Sequence, residues 1–148
     1  MSRKEQVGEY MNRYETLIEM ALEARKLAYA PYSKFKVGAA LLAKNAMIYK
    51  GCNIENASYP ATNCAERTAF FSAVSEGQKE FEAIAIVGGK EGVGELEYCA
   101  PCGICRQVMR EFCKPETFEI ILAKSKTDYK VYKLEELLPM SFGPENLA

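Results

Sequence analysis

The spacing of apolar positions changes several times along the chain, and each change marks an element. In YETLIEMALEARKLAYA, from Tyr14 to Ala30, the residues Leu17, Met20, Ala21, Ala24, Leu27 and Ala28 recur at helical spacing, which predicts an amphipathic helix. Pro31 disfavours helical backbone at Ala30, so that helix must end by there. FKVGAALLA and MIYKGCNI read as two strands joined by the polar KNA, the pattern of a hairpin. ENASYPATN is a loop, and a helix opens behind it at Cys64 and stops at Gly77. AIAIVGG is short and continuously apolar, as in a strand buried on both faces. The Gly-containing loop KEGVGELEYCA leads to a helix behind Pro101 in PCGICRQVMREF. FEIILAK and DYKVYKL are two more strands, LEELLP is a last short helix, and MSFGPENLA is a tail.

Strands alternating with helices predict an α/β domain, a sheet covered by helices on its faces. No repeat, low-complexity tract or linker interrupts the pattern, so one domain is expected over residues 1–148, with 1–11 as a flexible N-terminal extension.

Composition narrows the functional classes. The chain has 148 residues, 49% of them apolar and 26% charged, as in ordinary globular proteins. Its net charge is −1, which is a poor footprint for a nucleic-acid binder, because such proteins need clustered positive charge. No apolar run approaches the roughly 18 residues of a membrane span. The start, MSRKEQVGEYMNRYE, is charged with no apolar core behind it, so no secretory signal and a cytoplasmic location are expected.

Six cysteines stand at positions 52, 64, 99, 102, 105 and 113, and there is no His anywhere. In a reducing compartment, clustered cysteines are more often metal ligands or catalytic groups than disulfides. With no His, any metal site must use thiolates and carboxylates, and a His-based triad is excluded. Two predicted helix starts carry the candidate chemistry, Cys64-Ala65-Glu66-Arg67 and Pro101-Cys102-Gly103-Ile104-Cys105. Residues three apart on a helix share a face, so Cys102 and Cys105 can grip one ion while Cys64 adds a third thiolate from the other junction. Three protein ligands leave a fourth tetrahedral position open for water, which is the mark of catalytic zinc. Glu66 lies beside that position without being a ligand, which suits a proton shuttle. This order of metal ligand, Glu and P-C-x-x-C is the known signature of zinc-dependent deaminases.

The chain resembles the cytidine deaminases, and in particular their small homotetrameric branch. The resemblance runs from about Asn12 to Leu147 and rests on APYSKFKVGAAL, GCNIENASYPATNCAERTAFFSAVSEG, APCGICRQVMREF and LLPMSFGPENL. It implies a three-layer α/β/α fold with a central mixed sheet of about five strands. It also implies a free pyrimidine nucleoside as substrate, with uridine or deoxyuridine and ammonia as products. Cys64, Cys102 and Cys105 would bind one zinc per chain, and Glu66 would move the protons. Phe35 would pack against the nucleoside, Asn53 and Glu55 would hold ribose hydroxyls, and the Ala65 backbone would contact the base. Phe142 would reach a neighbouring subunit's site in a homotetramer with shared active sites.

Three thiolates on one zinc leave a charge of −1, which weakens the metal as a Lewis acid. The helix N-termini offset part of that charge, and Arg67, three residues after Cys64, can donate hydrogen bonds to thiolate sulfur. Simpler readings compete with several of these assignments. Cys52, Cys99 and Cys113 read as small core hydrophobes, although Cys99 stands close enough to the C-x-x-C pair to compete as a ligand. Arg67 could form an ordinary surface ion pair, Phe35 and Phe142 could be core aromatics, and Asn53 and Glu55 could be turn residues. A structural zinc module with Cys52 or Cys99 as fourth ligand would leave Glu66 without a role. A deaminase of polynucleotides is disfavoured by the acidic pI of about 5.7. A deaminase of a modified cytosine nucleoside would share the zinc motifs, but FKVGAAL and NIEN point to plain cytidine.

Overall fold

The computed structural model describes residues 12–147, so the expected N-terminal extension lies outside the described residues. Helix α1 (Arg13–Arg25) starts where the Asn12 side chain accepts a 2.9 Å hydrogen bond from the Glu15 N–H, satisfying one free amide of the first turn. It buries Leu17, Ile18, Ala21 and Ala24, and then stops well short of Ala30. The cause is tertiary. Tyr29 donates its N–H to the Asn53 carbonyl at 2.9 Å and accepts from the Glu55 N–H at 2.8 Å. Backbone groups paired in that way cannot also continue a helix. Leu27, expected on the buried face, is left 78% exposed.

The sheet has five strands: β1 (Phe35–Ala43), β2 (Ile48–Cys52), β3 (Phe81–Lys90), β4 (Glu119–Ala123) and β5 (Tyr129–Lys133). Their spatial order is β2-β1-β3-β4-β5. Only β3 and β4 pair in parallel, and the other neighbours are antiparallel. Because β1 runs against both β2 and β3, those two strands and β4 all point the same way. Helix α2 (Ala65–Ser75) follows β2 and helix α3 (Gly103–Phe112) follows β3, so both helices begin at the same edge of the sheet. A last short helix, α4, spans Leu134–Leu137.

The strands alternate faces with a period of two. Leu41, Ile84, Ile86, Ile120 and Leu122 meet Phe70, Met109, Phe118 and Leu134 on the side of α2, α3 and α4. Ala40, Ala83, Ala85, Val87 and Ile121 meet Leu17, Ile18 and Ala21 of α1 on the other side. Full burial of each Ile, Leu or Phe in these layers contributes about 1.5–3 kcal/mol. Small residues set how closely two of the helices approach the sheet. A Cβ on Gly38 would lie 2.1 Å from the Ala21 carbonyl oxygen of α1, and one on Gly51 would lie 2.4 Å from the Ala65 carbonyl oxygen of α2. The observed three layers around a mixed five-stranded sheet match the expected architecture.

The tail folds back along α3. Arg110 donates from Nε to Ser141 Oγ at 2.8 Å and pairs with Glu145 at 2.8 Å, while Gln107 Nε2 donates to the Phe142 carbonyl at 2.8 Å. Among the described residues, no helix is long and apolar enough to cross a membrane.

Candidate metal centre

Each thiol-bearing junction is fixed by its own set of hydrogen bonds. Cys64 caps the start of α2. The loop before it is closed by reciprocal 2.9 Å bonds between Ile54 and Asn63, and the Thr68 hydroxyl donates back to the Cys64 carbonyl at 3.0 Å. Cys102 caps the start of α3. Its approach is held by the Glu97 N–H on the Gly88 carbonyl at 2.8 Å. The Tyr98 ring has the ammonium groups of Lys124 and Lys130 each 4.6 Å from its centroid, and its hydroxyl donates to Asp128. From α3, Arg106 Nε reaches back to the Pro101 carbonyl at 2.7 Å, and its Nη1 donates to the Leu137 carbonyl at 2.6 Å. None of these supporting contacts was read from the sequence. For Arg106, its place directly after C-x-x-C was the available signal.

The three sulfur atoms of Cys64, Cys102 and Cys105 lie within 4.8 Å of one another, and Cys102 and Cys105 are 3.5 Å apart. Cys105 is buried, Cys64 half-buried and Cys102 exposed, so the cluster opens on one side. A hydrogen bond from Cys105, aided by the Arg67 guanidinium and by Cys102, outweighs burial and lowers the Cys64 thiol to about 5. Cys105, bonded to that thiolate, buried and facing Glu66, is pushed upward. Three thiols this close cannot all ionise without a cation among them, and a divalent ion displaces their protons. The donor set therefore fits zinc, which favours sulfur ligands in fours or in threes with an open position.

Glu66, one residue into α2, is 5% exposed and is the one buried charged side chain among the described residues. Burial, with the Cys64 charge adding to it, raises its carboxyl to about 7 against smaller opposing effects from backbone, Cys105 and Arg67. Arg67 Nη2 donates to Cys64 Sγ at 3.1 Å, the contact expected of it, and its Nε is buried with no hydrogen-bond partner among the described residues.

The remaining cysteines stand outside the cluster. Burial, then the negative charges of Glu66, Glu97 and Cys64, push Cys99 up to about 11, which leaves it a neutral thiol. Burial also raises Cys52 and Cys113. Cys99 meets Phe35 over Gly88, where an added Cβ would be 3.1 Å from both the Cys99 sulfur and the Phe35 ring. Phe35 is thereby placed beside a thiol that feels the charge of the cluster. Asn53 faces β1, with Oδ1 accepting from the Val37 N–H and Nδ2 donating to the Phe35 carbonyl, both at 2.8 Å. Glu55 accepts from the backbone and hydroxyl of Ser33, a residue that the sequence reading passed over. Ala65 is fully buried at the first position of α2. Phe142 is 57% exposed and borders a cleft with Gln107, Glu111, Gly143, Pro144 and Leu147, which none of the cluster residues lines.

Two helix starts, three thiols and one buried carboxyl at a common sheet edge form a group that could hold zinc in the manner of the deaminases. The family model for the cytidine and deoxycytidylate deaminase zinc-binding region matches residues 11–120, and the chain belongs to that family. It is 50% identical to a cytidine deaminase of Sporosarcina psychrophila over 90% of this chain and 94% of that protein. It is 47% identical to a cytidine deaminase of Halalkalibacterium halodurans over 90% of this chain and 96% of that one. The crystal structure of a cytidine deaminase from Burkholderia pseudomallei superposes with a TM-score of 0.78 at 51% identity, covering 89% of this chain and 100% of the other.

Proposed function

We propose that this protein catalyses the hydrolytic deamination of cytidine and deoxycytidine to uridine and deoxyuridine with release of ammonia, a step in the reuse of pyrimidine nucleosides. The observation that carries this reading is the set of three sulfurs within 4.8 Å beside a buried carboxyl raised to about 7. Cys64, Cys102 and Cys105 would hold the zinc, which would supply the charge that makes a water acidic enough to attack near neutral pH. Glu66 is placed for the proton traffic, because it is buried on the first turn of α2, two residues after Cys64, with no role as a ligand. It takes a proton from the attacking water and delivers it to N3 of the base as oxygen bonds to C4. It then moves the second water proton to the amine, and the C4–N bond breaks to leave a C4 carbonyl and ammonia.

The other chain residues bind and orient. Arg67 offsets the third thiolate's charge through its bond to Cys64. The buried backbone at Ala65 meets the base, the Phe35 ring packs against the nucleoside, and Glu55, with the Asn53 amide capacity not used on β1, holds the ribose hydroxyls. Phe142, 57% exposed and outside the thiol cluster of its own chain, completes a neighbour's site in a homotetramer. A cytoplasmic setting suits free thiols. The test is to add purified protein to cytidine, follow the ultraviolet change as the 4-amino group leaves, and measure zinc in the same sample. Absence of turnover in zinc-loaded protein refutes the activity, and light scattering that shows a fully active monomer refutes the shared sites.

A further inference from the structure

Glu55 lies at the surface, but its carboxylate has a fixed direction. Oε1 accepts from the Tyr32 N–H at 2.9 Å and from the Ser33 N–H at 3.1 Å, and Oε2 accepts from the Ser33 hydroxyl. The same hydroxyl oxygen accepts from the Phe35 N–H at 3.0 Å. One side-chain oxygen thus joins the carboxylate of Glu55 to the backbone of Phe35. Between them Lys34 adopts left-handed backbone with φ 61°, a conformation that a non-glycine residue keeps only where its surroundings impose it. The imposed contacts are visible: the Lys34 N–H bonds the Ala30 carbonyl at 3.0 Å, and its own carbonyl accepts from Glu91 at 2.7 Å. The Ser33 hydrogen bond is also the main reason that the Glu55 carboxyl lies below its ordinary value and stays an ionised acceptor. A carboxylate offers about four lone-pair directions, and three are taken here, which leaves one acceptor direction on Oε2. Phe35, by contrast, is held a second time by Asn53 on its carbonyl, so its place does not depend on Ser33 alone.

We propose that Ser33 is a positioning residue for sugar recognition: its hydroxyl aims the last free acceptor of Glu55 at a ribose hydroxyl and so sets how much that hydroxyl contributes to binding. This rests on the nucleoside reading given above. Removing the hydroxyl leaves Oε1 on its two backbone N–H donors but releases Oε2 to pivot about it, while the thiol cluster and the Asn53 contact to Phe35 stay in place.

The experiment compares Ser33→Ala with the wild type on cytidine and on 2′,3′-dideoxycytidine, the latter as substrate or competitor, with zinc content measured alongside. The variant should keep its zinc and show a KM for cytidine raised roughly 5- to 30-fold with kcat within about 3-fold. Its affinity for dideoxycytidine should stay within about 3-fold of wild type, because there is no hydroxyl for Glu55 to hold. Equal losses on the two nucleosides would mean that Ser33 acts only by holding the fold, and no loss on either would mean that the hydroxyl does not matter. Both results overturn the proposal. If Ser33→Ala fails to fold, the near-isosteric pair Ser33→Thr and Ser33→Val carries the same comparison, with Thr expected to keep cytidine affinity and Val to lose it. Wild-type protein that holds zinc but turns over neither nucleoside overturns the deamination reading, and this inference with it.

Discussion

Glu66 and Glu119 sit at opposite edges of one sheet, and their carboxyls move in opposite directions. Burial is the largest single influence on both. At the edge where α2 and α3 begin, Glu66 has few donors and a thiolate nearby, so burial prevails and the carboxyl rises to about 7. At the other edge, where β4 begins and β5 ends, Glu119 accepts from the Tyr14 hydroxyl at 2.8 and 2.9 Å, pairs with Arg13 at 2.5 Å and has Lys133 at 3.5 Å. Those partners outweigh burial and hold Glu119 below its ordinary value. The number of donors around a carboxylate decides the sign of its shift. An acid short of partners is the one suited to moving protons, and an acid with its partners satisfied is the one that holds elements together.

The contrast can be broken most severely at the metal edge. Cys102→Ala should lose zinc and activity together, from about one zinc per chain toward none, as read by elemental analysis beside the cytidine assay. Activity that survives without zinc would end the thiolate reading. Glu66→Gln keeps the shape of the side chain but cannot shuttle protons, so kcat should fall by roughly 10²–10⁴ or more with zinc retained. A change of only a few-fold would assign the proton transfer elsewhere. Arg67→Ala should weaken zinc affinity or activity by roughly 10- to 100-fold, measured by chelator competition and by rate, since it removes the donor that draws charge from the Cys64 sulfur.

The smallest effect belongs to the opposite edge. Tyr14→Phe removes a hydrogen bond to a carboxylate and should cost about 1–2 kcal/mol in denaturant unfolding, with kcat unchanged. Because Glu119 is held below its unfolded value, the stability it contributes is present above about pH 4.5 and is lost as pH falls through the lower folded value. The stability gap between wild type and Glu119→Gln should therefore close in acid. A gap that widens in acid would reverse the assignment of the shift.

The parts of the molecule that a sequence displays are those set by local pattern. The thiol-bearing helix starts, the hairpin and the buried strand follow from spacing, capping and turn residues, and the structure brings Cys64, Cys102 and Cys105 together as that pattern suggested. Two parts were hidden because they depend on groups distant in sequence. The end of α1 is decided by the pairing of Tyr29 with Asn53 and Glu55, so the helical spacing of Leu27 and Ala28 misleads. The tail, with little pattern of its own, is placed by Gln107 and Arg110 from α3. Ser33 was hidden for a different reason: a small polar residue in a turn carries no periodic signal, and its role appears only when both Glu55 and Phe35 are seen to converge on one hydroxyl.

Gly51 gives zinc chemistry a dependence on a residue that has no donor atom. It lies under the first turn of α2, and any side chain there meets the Ala65 carbonyl oxygen and the Ala69 nitrogen, the latter at 2.5 Å. The helix would have to lift, carrying Cys64 with it, while Cys102 and Cys105 stay where α3 holds them. A mutational scan scored only by activity would then rank this glycine beside the ligands. Position 51 acts as a spacer of zero thickness in the gauge that sets the separation of the clustered sulfurs.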